Sequence, residues 1–164
     1  LDAIKRVPEK KFILIGHFSK IKTLNQIANL DIIHSTKQQT DSAISYTSLK
    51  KHYSEAIAVC IPLNGDPNDT CGYTELLEAM AMAKPVLMTR SGCLDINIEE
   101  ENIGYYINPN DPHDWARKID FISNNNRKAS IMGANGRKLI DKTYNVASYE
   151  NRVREFLYKI SHSK

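Results

Sequence analysis

The stretch Gly72–Thr89, "GYTELLEAMAMAKPVLMT", decides how this chain is read: an almost wholly apolar helix runs straight into a short apolar strand, yet it carries two carboxylates, Glu75 and Glu78. A carboxylate buried without a partner is costly, so both need an explanation. At 3.6 residues per turn, Tyr73, Leu76, Leu77 and Met80 gather on one side of the helix, and Glu75, Glu78 and Met82 on the other. The two glutamates therefore share a face. Gly72 stands where the loop "LNGDPNDTC" turns into the helix, so the backbone N–H groups of Gly72, Tyr73 and Thr74 point outward with the positive end of the helix dipole behind them. Such a helix mouth suits phosphate, and glycine keeps side-chain bulk away from it. A carboxylate deeper in the helix repels phosphate but suits a vicinal diol such as ribose, whose two hydroxyls can both donate to it. The stretch thus predicts a nucleoside diphosphate lying across strand ends, with ribose at Glu78. Capping and solvation at a helix edge are the competing explanation for either glutamate.

Working outward, "KFILIG" is an unbroken apolar run closed by Gly16 and predicts a central parallel strand buried on both faces. "DIIHS" is a further strand. "SLKKHYSEA", with Leu49, Tyr53 and Ala56 at helical spacing, leads into "IAVCIP", a second buried strand in which Cys60 reads as core. "PVLMT" and "GYYIN" complete the strands. The C-terminal third is helical: Asp111 is an N-cap with Pro112 at the first helical position, and Trp115, Ile119 and Ile122 share a face. Ala129, Met132, Gly136 and Leu139 follow a similar period, with a loop expected at Asn124–Asn126, and Tyr149, Val153, Phe156, Leu157 and Ile160 mark an amphipathic last helix. Strands alternating with helices imply right-handed crossovers and an α/β, Rossmann-like, doubly wound parallel sheet with helices on both faces. Sheets of this kind bind ligands at the carboxyl ends of their strands.

With 164 residues, 41% hydrophobic and 25% charged, residues 1–164 have the composition of one domain. The chain opens on Leu1 rather than Met, in what reads as a helix entered partway, so it is expected to be a fragment. No apolar run approaches the roughly 20 residues that cross a bilayer, and a cytoplasmic location is expected. Cys60, Cys71 and Cys93 are odd in number and far apart, which fits neither a disulfide framework nor a zinc site. His34, His52, His113 and His162 lack ligand-like spacing, so no metal is expected. The formal charge of +3 is scattered, without the basic-aromatic interleaving of nucleic-acid binders, and allows a peripheral position at the inner membrane surface. Cys71 with His17 or His113 as base is a nucleophile alternative, against the simpler reading of a small loop residue. The single glycine of "IGHFSK" does not make a dinucleotide fingerprint.

"TELLEAMAMAKPVLMTRSG", followed by "GYYINPNDPHDWARKI" and "IMGANGRKLI", resembles the donor-binding C-terminal half of GT-B-fold, group-1 retaining glycosyltransferases, over roughly Leu1 to Phe156. The resemblance implies that Glu78 holds the ribose hydroxyls and that Gly72, Tyr73 and Thr74 lie on the loop whose amides meet the donor's diphosphate and sugar. Gly16 and His17 fall on the loop after the first strand, near the nucleotide. Thr89, Ser91 and Gly92 fall on the turn after "PVLMT", facing the same cleft, and Glu75 flanks the sugar or bonds to backbone. The family's sugar-reading glutamate belongs eight residues before Glu78, where this chain has Thr70; Asp69 substitutes only with a one-residue shift of the loop. The turn "SGCLD" carries Cys93 for a second glycine and Asp95 where a glutamate is common. Both departures bear on the sugar rather than the nucleotide. The implied activity is transfer of a hexosyl group, with retention, from a nucleotide diphosphate sugar to a glycan or lipid-linked acceptor in polysaccharide biosynthesis. It requires an N-terminal acceptor domain in the same full-length chain and no metal cofactor, and no catalytic residue is identified within this segment. A non-catalytic nucleotide-binding or scaffold domain derived from a glycosyltransferase half is the alternative, and Thr70 favours it.

Overall fold

The computed structural model describes residues 1–16, 24, 26–34, 44–65, 71–91 and 94–162. In chain order the elements are α1 (Asp2–Arg6), β1 (Phe12–Gly16), β2 (Leu30–His34), α2 (Tyr46–Glu55), β3 (Val59–Ile61), α3 (Tyr73–Ala81), β4 (Val86–Thr89), β5 (Gly104–Ile107), α4 (Pro112–Asn124), α5 (Asn126–Lys142) and α6 (Val146–His162). Among the described residues all strand pairs are parallel, with β1 and β2 in register from Phe12↔Leu30 to Gly16↔His34. β3, β4 and β5 pair in that order, Val59 opposite Val86 and Val86 opposite Gly104. The strands are thus α/β as expected, but among the described residues they form two parallel sheets rather than one.

The strand buried on both faces is β4, not β1. All four β4 residues are buried, whereas Ile13 of β1 is 47% exposed. The cause is the two-residue period of a strand, which sends alternate side chains into opposite layers. Val86 and Met88 join Leu76, Ala79 and Met80 of α3 with Ile96, Ile98 and Ile103 in one core. Leu87 and Ile107 of β5 meet Ile119 and Ile122 of α4, Ala129 and Met132 of α5, and Val7 in the other, with Trp115 against its edge. Helices therefore cover both faces of this sheet. β3 lies at its margin among the described residues, and Cys60, whose neighbours Val59 and Ile61 pack in the first core, turns to the opposite face and is exposed rather than core.

Local chemistry explains the helix ends. The Asp111 carboxylate accepts from the His113 and Asp114 amides at 3.1 and 2.9 Å, with Pro112 opening α4. Asn125 alone separates α4 from α5. At the end of α3, Ala83 takes a left-handed φ of 53°, while the Ala83 amide donates to Met80 O and the Lys84 amide to Ala79 O, a Schellman turn that delivers the chain to Pro85 and β4. α5 crosses this turn closely: a Cβ on Gly133 would collide with Ala83 O, and one on Gly136 would lie 3.1 Å from Met80 Cγ. The last helix exists as predicted, but α6 contributes no buried residue, and Tyr149, Phe156, Leu157 and Ile160 are exposed. Among the described residues no helix is long and apolar enough to cross a membrane.

Candidate functional site

Gly72 opens α3 in a left-handed conformation, φ 85° and ψ −5°, which an L side chain adopts only under strain. A Cβ there would lie 2.8 Å from Ile61 Cγ2, 3.0 Å from Met88 Cε and 3.2 Å from Leu63 Cδ2. The helix mouth is therefore seated on the carboxyl ends of β3 and β4, as the parallel-sheet rule requires. Gly72 has no side chain with which to cap the helix, and the helical ladder begins with the Leu76 amide donating to Gly72 O at 2.9 Å. Cys71, immediately before it, is exposed.

The two glutamates part company. Glu75 is exposed, whereas Glu78 is half-buried and its Oε2 accepts a 2.9 Å hydrogen bond from the Tyr53 hydroxyl of α2. Burial, and after it the bond to Glu78 and the charges of Glu78 and Glu75, push the Tyr53 phenol well above its ordinary range, so it stays a donor. A second tie runs from α2 to the turn after α3: Lys84 Nζ donates to Ser54 O at 2.8 Å. Because Cβ atoms on a helix lean toward its N-terminus, the Glu78 carboxylate leans back toward the Gly72 mouth.

Around the mouth, Thr74 is exposed, while Tyr73 is half-buried and donates its hydroxyl to Asp95 Oδ1 at 2.8 Å. Burial first, then Asp95, hold the Tyr73 phenol protonated. Asp95 is thus fixed to the first residue of α3. Thr89 is 2% exposed, and its Oγ1 accepts from the Leu63 amide at 2.9 Å, joining the loop after β3 to the end of β4. Arg90, next along, pairs with Glu99 at 3.2 Å and lies 4.5 Å over the Tyr106 ring. Ser91 follows, half-buried, and Gly16 ends β1 opposite His34 in the two-stranded sheet. The readings placed on His17, Thr70 and Gly92, and those on Asp69 and Cys93, fall outside the described residues. Among the described residues no group of three or more His, Cys, Asp or Glu side chains is arranged to hold a metal.

The structure brings Gly72, Tyr73, Thr74, Glu75 and Glu78 together on one helix, and Thr89 to the strand end beneath it. Sequence reasoning missed Tyr53, whose spacing with Leu49 and Ala56 read only as an apolar face. The available signal was its hydroxyl, since a buried tyrosine ordinarily finds a hydrogen-bond partner.

The family model of glycosyl transferases group 1 matches residues 1–139. This chain belongs to that family. Its fold is the GT-B half-domain: sucrose-phosphate synthase from Thermosynechococcus elongatus is similar with a TM-score of 0.76 and 20% identity, the match covering 99% of this chain and 41% of that one. HepE of Anabaena, solved in complex with UDP-glucose, is similar with a TM-score of 0.71 and 15% identity over 96% of this chain and 44% of that one. The C-terminal domain of a group 1 family protein from Francisella tularensis matches with a TM-score of 0.63 and 17% identity, over 88% of this chain and 78% of that one. The chain thus spans less than half the length of the first two. No curated protein sequence matches it.

Proposed function

We propose that residues 1–164 form the donor-binding, C-terminal half of a cytoplasmic retaining hexosyltransferase that takes a nucleotide diphosphate sugar. The diphosphate sits at the amides of Gly72, Tyr73 and Thr74, and the ribose hydroxyls donate to Glu78; Gly16, His17, Ser91 and Gly92 are assigned to the nucleotide and Thr70 and Glu75 to the sugar, while the buried Thr89 supports the site from beneath through the Leu63 amide. An N-terminal acceptor domain of the same full-length protein supplies the glycan or lipid-linked acceptor, at the inner membrane surface where the acceptor is a lipid. The domain's work is electrostatic: amides already oriented at the departing diphosphate stabilise its growing charge without reorganising, and no metal is invoked.

The observation that carries this reading is one helix with a left-handed glycine at its mouth and a half-buried glutamate within it. Its mouth is glycine-seated at the ends of β3 and β4, and a half-buried carboxylate stands six residues along, about 9 Å of helix axis away. The family match and the likeness to a chain solved with UDP-glucose support it. In the full-length protein, Glu78→Ala is expected to lower kcat/KM for the donor by about 2 kcal/mol, the scale of lost charge-assisted hydrogen bonds. Unchanged donor kinetics in a folded variant would remove Glu78 from the site. Thr70, in place of the family's glutamate, favours a second reading: a nucleotide-binding domain that transfers nothing. Binding of nucleoside diphosphate with no turnover of any nucleotide sugar would select it.

A further inference from the structure

We propose that Tyr53 is the positioning residue of the ribose clamp, its hydroxyl holding the Glu78 carboxylate in the orientation that receives the two ribose hydroxyls. The proposal rests on the Glu78 reading above and adds to it a residue on a different element.

A glutamate that must accept two hydroxyls at once has to present its carboxylate in one plane, although its side chain turns about three torsions. Nothing within α3 fixes that plane. Tyr53 approaches from α2, and among the described residues it is the side chain that hydrogen-bonds Glu78, at 2.9 Å to Oε2. That bond uses one of the roughly four acceptor positions of a carboxylate, leaving Oε1 and the second lone pair of Oε2 for a ligand. A phenol also suits the task chemically, because it donates one proton in a fixed direction from a ring with few torsions of its own.

The ring is itself held. Tyr53 packs against the core built from Leu76, Met80, Val86 and Met88, and the Lys84–Ser54 bond fastens the end of α2 to the turn after α3. The hydroxyl is therefore carried by a rigid support rather than by a loop, the condition for holding a binding group to within a fraction of an ångström. Burial and the neighbouring carboxylates Glu78 and Glu75 keep the phenol protonated throughout the neutral range, so the donor is always present. A phenylalanine would fill the same volume in the core. What the hydroxyl adds is the contact with Glu78.

The test uses the full-length protein and titration calorimetry with UDP and GDP, the tighter of the two then compared with its 2′,3′-dideoxy counterpart. The ratio of the two affinities isolates the ribose hydroxyls, and the dideoxy nucleotide reports a folded site in every variant. The wild type is expected to prefer the ribonucleotide by about tenfold or more, and Glu78→Gln to bring the ratio close to one. Tyr53→Phe is expected to weaken the ribonucleotide about five- to tenfold while leaving the dideoxy nucleotide unchanged. If Glu78→Gln collapses the ratio but Tyr53→Phe preserves it, the positioning role is overturned and the Glu78 reading stands. A Tyr53→Phe variant that weakens both nucleotides equally also overturns it, since a packing role alone does that. If Glu78→Gln leaves the ratio intact, or if neither nucleotide binds at millimolar concentration, the Glu78 reading falls and the proposal falls with it.

Discussion

Replacing Gly72 by alanine tests the seat on which the site is built. Two costs add. The left-handed φ of 85° penalises any Cβ by about 1–2 kcal/mol. The new methyl would also lie 2.8 Å from Ile61 Cγ2, nearer than real Cβ contacts come. Met88 Cε, at 3.0 Å, is the end of a flexible thioether and can swing aside. Ile61 cannot: it is 4% exposed, β-branched and held in β3. Overpacking a filled core costs about 1–3 kcal/mol, so Gly72→Ala is expected to lose about 2–5 kcal/mol in all. Urea unfolding measures it as a lower midpoint at unchanged slope. Thr74→Ala, at an exposed position two residues along, is the control and should stay within about 0.5 kcal/mol of the wild type. A Gly72→Ala variant as stable as this control would mean that Gly72 is neither left-handed nor pressed on Ile61, and the argument for its role at the helix mouth would fail with it.

Thr89→Val leaves the part-buried Leu63 amide, in the loop after β3, without its acceptor and should cost about 1–3 kcal/mol in urea unfolding, while Thr89→Ser, which keeps the hydroxyl, loses less. Asp111→Ala removes the carboxylate that caps two amides of α4 and is expected to lower stability by about 1 kcal/mol, read from thermal unfolding at fixed ionic strength. The phenols of Tyr53, Tyr73, Tyr105 and Tyr144 are all raised by burial foremost and by nearby carboxylates. Unfolded tyrosines ionise near pH 10 and the folded ones later, so the unfolded state releases protons first. Stability is therefore expected to be unaffected by these groups below about pH 10 and to fall as pH rises beyond it. Urea midpoints that stay level from pH 9 to 11 would contradict the burial of these rings.

Much of the fold was legible where the cause is local. Asp111 and Pro112 announced the start of α4 because a cap and its first turn are neighbours in sequence. Glu75 and Glu78 could be told apart from the apolar face of α3 because helical spacing alone fixes which side a residue takes. Gly72 as the helix mouth followed from the same logic. What failed was non-local. "KFILIG" and "PVLMT" are both apolar runs, and nothing in either says which will lie between two layers; that depends on α3 and α4 closing over β4 from opposite sides. Cys60 looked buried for the same reason, since a strand's place at a sheet margin is set by its partners. The apolar face of α6 was read correctly as a pattern, but a pattern does not say what the face meets. Tyr53 was missed because its partner lies 25 residues away, across an intervening strand and loop.

The most direct test of the central claim is amide NMR of the full-length protein titrated with UDP and with GDP. Binding of a nucleoside diphosphate at the α3 mouth predicts saturable shifts of the Gly72, Tyr73 and Thr74 amides with one of the two, weakened by Glu78→Ala. No perturbation at these amides with either nucleotide at millimolar concentration would contradict it.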